Sequence, residues 1–278
     1  MKKLLITLGL LAAFVCGAAA KDYKCIDNVR YGQHRAELPD DPTQDRILDI
    51  RLPDGDAPAK GWPVVMFIHG GGFSGGDKAM SSGLKALFHG MLEKGYAVVS
   101  INYMLTRRND KSLPSCSAQM KDGFPKAGRY SEGLHRMIDN ACEDAVMALK
   151  WLGKNGKKYG LDKNRIAIMG GSAGAITCLY TAFVYAPKKP RVKAVVNCWG
   201  AINDVKLIKD ARIPVLTFHG DQDALINICY GREIQKRLEE IGSTDSKFIF
   251  MEGTGHAQYK YVGASLIGEL TGFLDKVL

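Results

Sequence analysis

The stretch IAIMGGSAGAITC, Ile166 to Cys178, constrains this chain more than any other. Small and β-branched apolar residues run to Met169, two glycines follow, then a serine, Ala-Gly and a second apolar run. Its spacing predicts a strand over Arg165–Met169 that turns into a helix over Ala175–Tyr185. Such a turn needs small neighbours, because the serine backbone is strained and the helix packs close to the strand. The turn lifts Ser172 Oγ to the top of a sheet, beside the free N–H groups of a helix N-terminus. Phosphate-binding turns are also glycine-rich, but Walker spacing is absent here and no acid follows at a ribose-binding position.

The rest of the chain repeats this strand–helix rhythm. Val64–Ile68, Ala97–Ile101, Arg165–Met169, Ala194–Cys198, Pro214–Phe218 and Lys247–Met251 are nearly continuous apolar runs, as expected of strands covered on both faces. Between them, helical spacing appears in Ser82–Lys94, Asn140–Lys157 with Asp139 as its expected cap, Ala175–Tyr185, Tyr230–Ile241 and Ala264–Val277. Ile26–Val29 and Ile47–Leu52 predict an antiparallel hairpin at the first sheet edge. The fold class is therefore α/β: a mostly parallel central sheet with right-handed crossovers and helices on both faces. Leu105–Asp139 breaks the rhythm. It is long, basic and rich in Gly, Pro and Ser, and it leaves a strand end, which suits either a lid or a surface excursion.

Residues 1–20 have a signal-peptide layout: Lys2 and Lys3, an apolar middle from Leu4 to Val15, and Ala18-Ala19-Ala20 before the expected cleavage. A lipid-modified Cys16 would need a small residue before it, where Phe14-Val15 stands. The apolar run is too short for a membrane span, as is every later one. A periplasmic or secreted domain over residues 21–278 is expected, with no membrane insertion after cleavage. The net charge of +9 comes from scattered lysines without aromatic interleaving, so a nucleic-acid partner is not expected. Beyond Cys16, the cysteines in loop-like or helix-start surroundings, Cys25, Cys116 and Cys142, are the bridge candidates. Cys178 and Cys198 lie in apolar runs and read as buried thiols. No spacing resembles a zinc ligand set, and no metal or organic cofactor is expected.

A serine nucleophile needs a base and an orienting acid. Of the histidines at 34, 69, 89, 135, 219 and 256, most have plain explanations: His34, His89 and His135 sit in a loop, a helix and the long segment. His219 reads as a structural support for a turn. His256 follows the Lys247–Met251 strand in the small-residue loop EGTGHAQ, at the sheet's carboxyl edge. The acid should follow the preceding strand, where VLTFHGDQDALIN offers Asp221 and Asp223. Asp223 lies deeper in the loop and is preferred, with Asp221 as the fallback and helix capping the duty of whichever is unused. Donors for a developing oxyanion are expected from FIHGGGFSGGD, where His69-Gly70-Gly71-Gly72 leaves a strand end, and from the Ala173 N–H.

These motifs resemble the α/β-hydrolase superfamily, in its esterase–lipase branch with an HGGG loop and a GxSxG elbow. LDIRLP (48–53), VVSINYML (98–105, with Met104 where an arginine is common), DNACEDAVMALKWL (139–152) and HGDQD are similar to its phrases. The resemblance implies the order Ser172, Asp223, His256, with Asp223 as the last acid of HGxxD. It also implies oxyanion donors at Gly71, Gly72 and Ala173. It is nearest to bacterial carbohydrate esterases that release acetyl or feruloyl groups, which implies an exported serine esterase acting on a small-molecule or oligosaccharide ester. Arg107, Arg108 and Lys111 either favour acidic glycans or face water. A serine peptidase of the same fold, or a non-catalytic carbohydrate-binding protein on the same scaffold, are the alternatives.

Overall fold

The computed structural model describes residues 23–38 and 40–278; the expected signal peptide lies outside these residues. Eight strands form one sheet: β1 (Lys24–Arg30), β2 (Ile47–Leu52), β3 (Trp62–Ile68), β4 (Ala97–Ile101), β5 (Leu161–Gly171), β6 (Ala194–Cys198), β7 (Val215–Gly220) and β8 (Lys247–Met251). The helices are α1 (Ser82–Glu93), α2 (Thr106–Asn109), α3 (Cys116–Met120), α4 (Glu132–Asn155), α5 (Ala173–Tyr180), α6 (Cys229–Glu240), α7 (Tyr259–Ser265) and α8 (Ile267–Val277). The sheet order is β1-β2-β4-β3-β5-β6-β7-β8. β1–β2 and β2–β4 pair antiparallel, as the N-terminal hairpin requires, and every later pair is parallel.

Alternate residues of the strands β3 to β7 feed two separate cores. Val64, Met66 and Ile68 of β3 pack with Leu149 of α4, Ile176 of α5 and Ile234 of α6 in one cluster. Val65 and Phe67 pack with Leu87 and Phe88 of α1, Val262 of α7 and Leu274 of α8 in the other. This period of two is what a pleated strand dictates, and burial of both faces is why the strands read as unbroken apolar runs. At the carboxyl ends of β3, β5, β7 and β8 the chain leaves in four loops on one edge of the sheet. In open parallel sheets that edge is where ligands bind.

The segment 105–139 is built rather than loose. It contains α2, α3 and the first turns of α4, and it buries Leu105, Leu113, Cys116, Met120, Tyr130, Leu134, Met137 and Ile138 in the core. Helix α4 starts at Glu132, earlier than its spacing predicted. Its cap is Ser131, whose hydroxyl accepts from Leu134 N at 3.3 Å. Asp139 does not cap; its carboxylate accepts from the Tyr185 hydroxyl at 2.6 Å. Cys25, Cys116 and Cys142 are free thiols rather than bridge partners: Cys116 and Cys142 are buried on helices, and Cys25 is exposed. The helix expected over Ala264–Val277 is two helices, because Leu266 leaves helical geometry at φ −119°, ψ 12°.

One buried carboxylate ties the N-terminal segment to this core. Asp144 of α4 is fully buried and accepts from Arg46 Nε at 2.9 Å, Met104 N at 2.8 Å and the Arg35 guanidinium. Removing one member of such a group strands buried charge, which typically costs about 3–5 kcal/mol. Asp144→Ala is therefore expected to lower unfolding stability by about that amount in urea titrations. A loss within experimental error would show that Arg35 and Arg46 reach water without their partner.

Candidate active site

The turn after β5 has the geometry its glycines allow. Ser172 sits at φ 55°, ψ −125°, outside the regions a serine ordinarily occupies, and such a residue costs about 1–3 kcal/mol. Two backbone bonds hold it: Ser172 N donates to Cys198 O at 3.0 Å, and Ser172 O accepts from Ile176 N at 2.9 Å. The flanking glycines are forced by close approach. A Cβ on Gly170 would lie 2.5 Å from the Gly174 carbonyl carbon, and one on Gly174 would lie 2.0 Å from Ile68 O. The strand, the turn and the end of β3 therefore meet with no room for a methyl group. α5 starts at Ala173, directly behind the serine.

The loop after β3 faces this turn. Gly71 and Gly72 have φ of 114° and 61°, and Gly71 O accepts from Ser74 N at 3.0 Å and Gly75 N at 3.1 Å. The backbone N–H groups of Gly71, Gly72 and Ala173 donate to no acceptor among the described residues. His69 anchors the loop: its Nδ1 lies 2.7 Å from Gly70 O, so that nitrogen carries the proton, and Tyr103 OH donates to His69 O at 2.7 Å. The two rings stack at 4.5 Å. Burial pushes the His69 imidazole down to about 4, so it stays neutral near neutral pH.

Asp223 and His256 are joined. His256 Nδ1 lies 2.7 Å from Asp223 Oδ2, which makes Nδ1 the donor and leaves Nε2 as the nitrogen with a free lone pair. The Asp223 carboxylate is buried, and Oδ1 accepts from Leu225 N and Ile226 N, both at 2.9 Å. His219, fully buried, puts Nε2 3.4 Å from Oδ2 and 2.9 Å from Ile226 O, which is the supporting role its position suggested. Burial alone would raise the Asp223 carboxyl. The bonds from His219, His256 and Ile226 outweigh it and hold the group well below the usual carboxylate range. Asp221 is exposed and makes no side-chain bond to either histidine.

Ser172, His256 and the three glycines 70–72 line one cleft of about 540 Å³. Its walls contain residues that the sequence did not single out, the apolar or aromatic Leu84, Trp199, Leu225, Ile226 and Tyr259; of the cations weighed from the sequence, Arg107 lines the cleft, with Ser115–Ser117 of the same 105–139 segment. Trp199 follows β6, and its ring packs edge-on to Tyr259 at 4.8 Å and lies 6.2 Å from His256. The available signal was position: like Ser172 and Asp223, Trp199 follows the end of a parallel strand, where side chains face the crevice.

A family model described as BD-FAE matches residues 48–124 and 129–203, more than half of the chain. The chain belongs to the BD-FAE family. The matched residues include the glycine loop and the Ser172 turn; Asp223 and His256 lie beyond them. This BD-FAE member is 34% identical over 117 residues to the fumonisin B1 esterase of Sphingopyxis macrogoltabida, covering 41% of this chain and 18% of that protein. It is 31% identical over 144 residues to the chlorogenic acid esterase of Aspergillus niger, covering 51% of this chain and 24% of that one. The chain thus spans about a fifth to a quarter of the length of these curated relatives. A solved structure titled as a truncated carbohydrate esterase from gut microbiota superposes with a TM-score of 0.65 at 18% identity, covering 93% of this chain and 98% of that one. At that identity the likeness is one of fold, and the fold is that of the α/β-hydrolases.

Because His69 is buried neutral, the unfolded chain binds a proton that the folded chain refuses between the ordinary histidine value of about 6.5 and about 4. Its contribution is complete above that window and is lost as pH falls through it. His69→Gln is expected to flatten the pH dependence of unfolding stability there by roughly 3 kcal/mol in all. Parallel urea titrations of both proteins from neutral to acid pH measure this; unchanged slopes would contradict a neutral, buried His69.

Proposed function

We propose that this protein is an exported serine carboxylic-ester hydrolase acting on short-acyl or cinnamoyl esters, with esters of plant carbohydrate as its substrates. The observation that carries the proposal is the 2.7 Å bond to the buried Asp223 carboxylate from His256, which lines the same cleft as Ser172. Ester-cleaving names among the relatives support the class of reaction, and the leader read over residues 1–20 supports export. No helix among the described residues is long and apolar enough to cross a membrane.

In this mechanism His256 Nε2 takes the proton of Ser172 Oγ as the oxygen attacks the ester carbonyl. Asp223 holds the imidazole in the tautomer that can accept it and stabilises the cation that forms. The amides of Gly71, Gly72 and Ala173 receive the negative charge of the tetrahedral intermediate; one such donor is typically worth ~10²–10³ in turnover. The intermediate collapses, His256 protonates the leaving alcohol, and the acyl group stays on Ser172. Water then attacks the acyl-enzyme with His256 again as base, releasing the acid and restoring the serine. A cleft of 540 Å³ lined by Leu84, Trp199, Leu225 and Tyr259 suits a short or planar aromatic acyl group better than a long chain.

Hydrolysis of methyl ferulate and an aryl acetate by single variants tests the assignment. Ser172→Ala is expected to lower turnover on the order of 10⁶-fold, and Asp223→Asn by about 10⁴-fold with substrate binding retained. Asp221→Asn should leave turnover close to that of the unmutated protein. Binding of acetylated or feruloylated oligosaccharides with no hydrolysis by the unmutated protein would contradict the proposal and favour a binding role.

A further inference from the structure

One permanent cation in the cleft has no part in the ester chemistry. Arg107, half-buried on the short helix α2, lines the same cavity as Ser172 and His256. Its backbone N–H donates to Phe73 O at 2.9 Å, which fixes α2 to the glycine loop, and its Nε donates to Leu113 O at 3.1 Å. Those bonds fix the stem and the plane of the guanidinium. Among the described residues the Nη donors have no acceptor, and no carboxylate forms an ion pair with Arg107.

Its basic neighbours are placed differently. Arg108 is engaged by Asp41 Oδ2 at 3.1 Å and Thr43 Oγ1 at 2.9 Å. Lys111 is exposed and stands away from the cleft wall. Asp77 is the acid of the cleft, exposed and turned to its own backbone, where Oδ1 accepts from Ala79 N at 2.7 Å. Beside Arg107 in the wall, Ser115 Oγ lies 3.1 Å from Ser117 Oγ, adding hydroxyls to the guanidinium. A planar fork of N–H donors on a side chain that lines a cavity, anchored through its Nε, matches a carboxylate, which can accept two parallel bonds from it.

We propose that Arg107 forms a carboxylate-binding subsite, and that the substrates are esters that also carry a free carboxylate, such as those of uronic acids or hydroxycarboxylic acids. This rests on the ester hydrolysis proposed above. Arg107 is then a specificity residue: it anchors the acid group while the ester carbonyl lies between Ser172 and the glycine loop. A neutral substrate of the same shape forfeits charge-assisted bonds and leaves the guanidinium facing an amide or hydroxyl.

The test compares matched ester pairs on the unmutated protein, Arg107→Gln and Arg107→Lys. One pair places the charge on the leaving side, 4-acetoxybenzoate against 4-acetoxybenzamide. The other places it on the acyl side, methyl 4-carboxycinnamate against methyl 4-carbamoylcinnamate. The unmutated protein is expected to prefer the carboxylate member of at least one pair by ~10–100-fold in kcat/KM. Arg107→Gln should abolish that preference by raising KM for the carboxylate member, and an unfolding transition like that of the unmutated protein reports that the variant folds. Arg107→Lys should retain part of the preference, because it keeps charge and loses the fork. No preference in the unmutated protein, or an equal loss on both members in Arg107→Gln, overturns the subsite. Failure of the unmutated protein to cleave any of the four esters would instead overturn the hydrolase proposal, and the subsite with it.

Discussion

Ser172 is held at φ 55° between a strand and a helix, and the remaining geometry of the cleft is arranged around that one strained residue. The strain persists because the surroundings leave no alternative: Gly170 and Gly174 touch across the turn, Gly174 rests on the end of β3, and Cys198 O takes the serine N–H. The last two contacts reach from the turn to the neighbouring strands β3 and β6. The sheet order β3-β5-β6 is therefore what fixes the hydroxyl, and the two cores that cover the sheet stabilise that order. Local strain of a few kcal/mol is sustainable only where burial of this extent opposes it.

Asp223 and His256, the proposed acid and base, are positioned by the other half of the sheet. β7 and β8 pair in parallel, so the loops carrying Asp223 and His256 leave the same edge side by side. The buried Asp223 carboxylate is then fixed from two directions. Leu225 N and Ile226 N hold Oδ1 within its own loop, while His256 and His219 approach Oδ2. The 105–139 segment braces this loop from outside: Asn227 N donates to Met120 O at 3.0 Å and Tyr230 OH to Gly123 O at 2.8 Å. That segment therefore links the loop behind Asp223 to Arg107 on the cleft wall.

Much of this was legible in the sequence, for a physical reason. β4 and β6 have the bounds their apolar runs predicted, because strands covered on both faces must be apolar at nearly every position. β2 and β8 also keep their expected bounds, although β2 carries Asp49 and Arg51 and β8, at the sheet edge, leaves Phe250 exposed. The Ser172 turn was legible because close packing admits only glycine on either side. What escaped notice depends on tertiary contact. The start of α4 hides behind Gly133, a poor helix former, although Leu134, Met137, Ile138 and Ala141 continue the buried face. Cys116 looked like a bridge partner while 105–139 read as loop, and Cys142 while it stood at the start of a helix; α3 and an α4 that begins at Glu132 turn both into the core. Trp199, Tyr259 and Arg107 come together from separate elements, and no local pattern marks them as one wall.

In the proposed mechanism, His256 and Asp223 make Ser172 far more nucleophilic than the other serines of the chain. Treatment of the folded protein with a fluorophosphonate, followed by intact-mass measurement and peptide mapping, tests it most directly. A single adduct is expected on the peptide bearing Ser172, with slow or absent labelling when His256 is replaced by alanine. An adduct on a different residue, or labelling of Ser172 that proceeds as fast without His256, would contradict it.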